Sequence, residues 1–324
     1  MNLVEKVKLN PKWHYAFSIC ATWAGAGSLI VGINFVKQYG VVPFILWALG
    51  NTLCCVVFGL LAGKLPTLRA IFTSKVMKIV VGLMCIFQLW VNMSGINDSL
   101  KIISPAFAVA TTYILAVTFL LLYLKYAMLK NIITDDIGWK VVYGMIFGIL
   151  LIALCKNGFA IPSAGMVPAH IKLGVQRFFT LMVGPFFYPY FWELFNYNGN
   201  GDCKPTDMPK AFALGGMLFG IYLCFVFVLG CTTFTPQLEV AKGILLSLIA
   251  LSSLTSFIYS IYISFGLKIG FVVNTFGMVA WSLLVPLGVM KIWSAMQDIR
   301  FVMVVAVCLY AGIKTIYDNH KSKN

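Results

Sequence analysis

Apolar runs as long as a membrane span recur ten times along this chain, at about 14–38, 41–63, 76–97, 104–128, 139–157, 172–197, 210–232, 240–265, 270–292 and 299–317. About 20 predominantly apolar residues suffice for a helix to cross a bilayer's hydrocarbon core. The pattern therefore predicts an all-α polytopic membrane protein with ten transmembrane helices. Composition agrees, since 60% of the 324 residues are apolar and 10% charged, against about 45–50% and 25% in soluble domains. The runs consume nearly the whole length, which leaves one transmembrane domain over 1–324 and no room for a soluble one.

Ten crossings put both termini on one side. One alternate set of loops and tails, which includes Lys6, Lys8, Lys64, Arg69, Lys130, Lys140, Lys204 and Lys321, carries sixteen Lys and Arg residues. The other set carries eight: Lys37, Lys101, Lys156, Lys172, Arg177, Lys242, Lys291 and Arg300. Basic residues accumulate in cytoplasmic loops, so both termini are expected to be cytoplasmic, with the protein multi-pass in the cell (inner) membrane. The same distribution absorbs the net charge of +14, and with no basic-aromatic patch outside the apolar runs no nucleic-acid partner is expected. The first apolar run continues without a small-residue cleavage site and reads as a retained helix.

Chemistry-bearing constellations are few. The nine cysteines contain no Cys-x-x-Cys pair, and eight of them sit in or beside apolar runs, with Cys203 in a loop; packing between helices accounts for them. The three histidines, His14, His170 and His320, lie near segment ends. Nothing resembles a phosphate-binding loop, no acid–base set converges, and neither an enzyme nor an organic cofactor is expected.

Two runs are interrupted at mid-depth. The first carries Ala24-Gly25-Ala26-Gly27-Ser28, and the sixth carries Val183-Gly184-Pro185 with Pro189 one turn later. Gly25 and Gly184 lie 159 residues apart, close to half the chain. Two halves of five helices each, an odd number, enter the membrane with opposite topology. Such matched breaks mark an inverted-repeat carrier whose discontinuous helices, here one and six, meet at the substrate. The repeats are placed at 14–157 and 172–317. Unwound backbone is tolerated inside a membrane only where it faces a cavity or ligand, which makes Gly25, Ser28 and Gly184 candidate substrate contacts.

The eighth run holds Ser252, Ser253, Thr255, Ser256 and Ser260 within thirteen residues. With Ala21-Thr22 through Gly32 to Tyr39-Gly40 in run one, Ser252-Ser253 and Ser256 in run eight, and the stretch from Lys204 to Gly216, the chain resembles the sodium:solute symporter family. That resemblance implies the five-plus-five inverted repeat of the amino acid–polyamine–organocation type, reduced to its ten-helix core. It also implies a Na⁺ site made of carbonyls near Ala21, Ala24 and Ile249 and hydroxyls from Ser252 and Ser253. Where the family usually has Gln-Arg, this chain has Glu193-Leu194.

The remaining candidates come from polar and aromatic groups within runs. Gln88 and Asn92 are four apart and share a helix face; unpaired amides are costly in hydrocarbon, so that face should meet a cavity. After the sixth-run break come Phe186, Phe187, Tyr188, Tyr190, Phe191 and Trp192. Tyr188 is the first choice for the substrate, with Trp23 opposite; Tyr190 and Glu193 are the gating or coupling candidates. The expectation is Na⁺-coupled symport of a small polar solute by alternating access. The alternatives are a proton-coupled carrier or facilitator with Glu193 titrating, and a ligand receptor or interaction protein that keeps the fold without transport.

Overall fold

The computed structural model describes residues 11–125, 167–196 and 207–321, together with parts of 141–162. Lys6, Lys8, Lys130, Lys140, Cys203 and Lys204 lie outside the described residues. Among those described the chain is helical throughout, without strands; one isolated bridge pairs Phe159 with Thr232.

The helices are α1 (Pro11–Trp23), α2 (Ala26–Tyr39), α3 (Val41–Lys64), α4 (Pro66–Phe72), α5 (Lys75–Lys101), α6 (Ala108–Lys125), α7 (Pro168–Met182), α8 (Pro189–Asn196), α9 (Met208–Cys231), α10 (Pro236–Trp281) and α11 (Gly288–Lys321). Four of them, α3, α5, α9 and α10, are long and apolar enough to cross a membrane, and α1 with α2, bent by 57°, forms a fifth candidate. The described part of run five is helical at 141–142, 144–146, 148–149 and 152–154. Many large apolar side chains face outward, among them Val76, Ile114, Phe276, Leu283 and Ile313. A monomer in water rarely exposes so much apolar surface, whereas lipid accepts it.

Prolines set several boundaries. Pro168 and Pro236 open α7 and α10 at a position whose N–H has no intrahelical partner. Leu65, held at φ −115° and ψ 85° ahead of Pro66, ends α3.

Both interruptions expected from sequence are present. Run one divides into α1 and α2 at Ala24-Gly25, with Gly25 extended at φ −123° and ψ −168°. Run six divides into α7, a short 3-10 turn over Gly184–Phe187, and α8. Tyr188, directly before Pro189, is extended at φ −112° and ψ 101°, as the ring of a following proline demands.

Runs eight and nine share α10, whose 46 residues reverse at Gly266. Gly266 has φ +76°, a left-handed conformation that glycine adopts without steric cost. Two contacts show the reversal. Asn274 Nδ2 donates to the Ile258 carbonyl at 3.3 Å, and a Cβ on Gly270 would stand 3.0 Å from the Tyr262 Cα. In a straight helix residues 258 and 274 would be about 24 Å apart. The second half is fixed to its neighbours by Trp90 Nε1 donating to the Gly277 carbonyl at 2.7 Å, Trp281 Nε1 to Ser94 Oγ at 2.8 Å and Tyr113 Oη to the Met278 carbonyl at 3.1 Å.

The boundary between runs nine and ten needs correction. The helix of run nine stops at Trp281 rather than near 292, and that of run ten starts at Gly288 rather than at 299. Pro286, which has no N–H, and Gly288 at φ +72° make the turn. Lys291, Gln297, Asp298 and Arg300 lower the local apolarity yet occupy helix. Arg300 and Arg177, counted above as loop charges, are both buried.

Candidate functional site

The broken helices meet α5, α10 and α11 around a small polar cavity of about 30 Å³. Its walls include Trp23, Gly25, Ser28, Gln88, Asn92, Tyr188 and Ser253 from the sequence candidates, and Thr22, Asn51, Phe257, Trp293 and Gln297 besides. A cavity of that size is large enough to hold ordered water. As it stands the cavity takes a water or a bare ion, and a solute needs the helices to part.

The α1–α2 break is held from both sides. Ser28 Oγ donates to the Gly25 carbonyl at 2.8 Å, and its backbone N–H reaches the same oxygen at 3.0 Å. From α10, Ser253 Oγ donates to the Ala24 carbonyl at 3.1 Å. The approach is so close that a Cβ on Gly25 would stand 2.6 Å from Ser253 Oγ, 2.8 Å from Ser253 Cβ and 2.9 Å from Asn92 Oδ1. Asn92 Nδ2 is spent on the Gln88 carbonyl one turn back at 2.8 Å.

The two breaks also touch each other. Trp23 and Tyr188 have ring centroids 5.1 Å apart, and Gly184 lies against the Trp23 indole. Ser18 Oγ and Tyr190 Oη are 2.8 Å apart, joining α1 to α8. Tyr188 is enclosed by Phe191 at 5.0 Å and Phe257 at 4.9 Å.

Of the residues that the family resemblance implied for sodium, Ala24 and Ser253 are in direct contact. Ala21 and Ile249 are buried. Ser252 is half-buried, and its carbonyl accepts from Thr255 Oγ1 at 2.6 Å. Glu193 stands apart from the central cavity, lining a second one of about 20 Å³ with Thr73, Lys78 and Trp192.

Sequence reasoning missed what α11 contributes. Trp293, Gln297 and Arg300 follow one another at four and three residues and share a face; the first two line the cavity. Arg300 is completely buried beside it. The Gln88 amide is assigned with Oε1 toward Arg300, because the reverse sets N–H groups against N–H groups. Gln88 Oε1 then accepts from the two terminal guanidinium nitrogens at 2.7 and 3.1 Å and from Tyr188 Oη at 3.0 Å. The Arg300 Cζ lies 5.7 Å from the Tyr188 ring centroid and 5.8 Å from that of Phe187.

A second arginine ties α7 to α11. Arg177 Nη1 meets Asp298 Oδ1 at 2.6 Å, with side-chain exposures of 6% and 49%, and its guanidinium lies 5.4 Å from the Trp293 ring centroid. Removing one partner of a fully buried pair costs about 3–5 kcal/mol. Half-exposed Asp298 lowers that, so Asp298→Asn is expected to destabilise the protein by about 1–2 kcal/mol. A drop in melting temperature in detergent checks this; an unchanged one would mean that the pair contributes nothing.

The chain matches no family model and no curated protein.

Proposed function

We propose that this protein is a secondary active transporter that moves a small polar solute across the cell membrane with Na⁺. In this reading it crosses ten times, with both termini in the cytoplasm, as two inverted repeats of five helices over 14–157 and 172–317. The observation that carries the reading is the meeting of two helix breaks at a polar cavity inside an otherwise apolar bundle. Interrupted helices inside a membrane are tolerated where the freed backbone lines a cavity, and paired interruptions are the mark of carriers.

Each chemical role falls to a group already placed. The Ala24 carbonyl and Ser253 hydroxyl are neutral oxygens of the type that holds a small hard cation weakly enough to release it. Gln88, Asn92, Ser28 and Trp23 offer polar contacts to the solute, and Tyr188 and Phe257 bound it with rings. Sodium drives uptake if it binds more tightly to the state that also accepts the solute, since coupling is a difference in affinity between states. Ser18–Tyr190 and Arg177–Asp298 are contacts between elements that such a change would break and remake.

The test is counterflow and gradient-driven uptake by the protein in proteoliposomes, using pooled labelled amino acids, sugars, monocarboxylates and nucleobases. Accumulation that requires an inward Na⁺ gradient is the expected result. Uptake driven by a pH gradient in sodium-free buffer would replace sodium with protons, and binding without flux would make the protein a receptor.

A further inference from the structure

Arg300 has no exposed surface, and among the described residues no carboxylate meets it. The described ion pairs join Lys101 to Asp98, Arg177 to Asp298 and Lys242 to Glu239. Its surroundings are the Gln88 amide oxygen, the Tyr188 hydroxyl, to which it hydrogen-bonds, and the faces of Phe187 and Tyr188, and its Nε is without a partner. Ionised side chains inside a membrane are expensive and almost always paired, and buried charge is normally met by opposite charge. A neutral amide, a hydroxyl and two rings compensate Arg300 only in part.

The cavity beside it has a donor to spare. Gln88 and Tyr188, the residues in contact with the guanidinium, both form cavity wall. Turning its oxygen to Arg300 sets the Gln88 N–H groups toward acceptors. The Trp23 indole N–H, in the same wall, has no acceptor. Gln297 Oε1 is an unmatched acceptor in the wall, on an amide that can present either end. An excess positive charge and an unused N–H donor around one small space call for an anion. The rings of Tyr188, Phe257 and Trp293 call for an apolar body attached to it.

We infer that the solute is a small organic anion, a monocarboxylate, whose carboxylate takes the Trp23 N–H with Arg300 as its buried counter-charge, and whose apolar remainder packs among Tyr188, Phe257 and Trp293. This rests on the cavity being the solute site of the proposed transporter. It narrows the solute from any polar molecule to one that carries net negative charge. Sodium on the Ala24–Ser253 side then accompanies the anion.

The experiment compares sodium salts of monocarboxylates from acetate to benzoate with their primary amides, read by thermal shift and by quenching of intrinsic tryptophan fluorescence on the purified full chain. Wild type is expected to bind at least one carboxylate about tenfold or more tightly than its amide. Arg300→Gln should abolish that preference, and Arg300→Lys, which keeps the charge, should retain part of it. If Arg300→Gln does not elute as a monodisperse species, the wild-type comparison of acid with amide decides. Equal affinity for acids and amides, no carboxylate bound, or a folded Arg300→Gln that keeps the preference would each overturn the assignment. So would chloride alone producing the full shift, which would make this an inorganic-anion site.

Flux separates the two readings. Carboxylate binding that depends on Arg300 without flux in proteoliposomes would sink the transport reading and leave the anion site. Sodium-driven uptake of a neutral solute, unchanged in Arg300→Gln, would do the reverse.

Discussion

Gly25→Leu is expected to abolish solute movement while leaving the protein inserted in the membrane. Even the first added carbon has nowhere to go, with Ser253 Oγ at 2.6 Å, Ser253 Cβ at 2.8 Å and Asn92 Oδ1 at 2.9 Å. Those neighbours are buried and come from two different helices, α10 and α5. The leucine must therefore push α1–α2 away from α10 or turn its branches into the cavity. Overpacking of this kind costs about 1–3 kcal/mol, which a membrane bundle tolerates. A displacement of about 1 Å at reacting or binding groups already costs on the order of a hundredfold in rate, so uptake should fall at least that far. Gly27→Ala, in the same cavity wall, is the milder comparison and should lose far less, since its added carbon meets the Trp293 indole at 3.1 Å and Val91 Cγ1 at 3.4 Å, side-chain atoms that can shift. Wild-type uptake by Gly25→Leu would show that the break is not part of the pathway.

The double substitution Ser252→Ala with Ser253→Ala is expected to remove the sodium dependence of uptake or ligand binding. Ser253 is completely buried and its hydroxyl reaches the carbonyl at the end of α1, so alanine deletes both the inter-helix bond and an oxygen from the cation's surroundings. Coupling between two ligands is typically worth about 5- to 150-fold in affinity, and that factor should collapse toward unity. The lost hydrogen bond itself costs only about 1 kcal/mol, so monodispersity and melting temperature should change little. Ser253→Ala alone should carry most of the effect, because Ser252 is half-buried and its carbonyl serves Thr255 and Ser256 within α10. A double mutant whose binding still responds fully to sodium would remove the site.

The α1–α2 and α7–α8 breaks were legible in the sequence because the backbone rules that create them are local. Clustered small residues weaken a helix, and Gly-Pro with a second proline cannot continue one. Gln88, Asn92, Trp23 and Tyr188 were readable as cavity residues for a similar reason: a polar or amphipathic group deep in an apolar run must face something other than lipid. The contribution of α11 was hidden because windowed apolarity averages over both faces of a helix. Lys291 and Asp298 are solvent- or lipid-side neighbours of Trp293, Gln297 and Arg300, and together they made residues 291–300 look like a loop. The spacing of Trp293, Gln297 and Arg300, with Val289, Ile292 and Met296 also buried, is the helical signal that a periodicity reading would have caught. The reversal at Gly266 falls in the gap between the apolar runs at 240–265 and 270–292, where Lys268 lowers the apolarity; what the sequence did not show is that one left-handed glycine makes the whole turn, with Asn274 beside Ile258.

That reversal bears on how the protein is made. Laid straight, the 46 residues of α10 would reach about 69 Å, more than twice the thickness of a bilayer's hydrocarbon core. Turned at a single glycine, they form an antiparallel pair of helices whose turn, Gly266 to Ile269, is exposed. A reversal this tight brings its two halves together at short sequence separation, so little loop-closure entropy is lost when their contacts form. The contact on its inner face, Asn274 Nδ2 on the Ile258 carbonyl, lies within one continuous stretch of chain and needs no other helix to form.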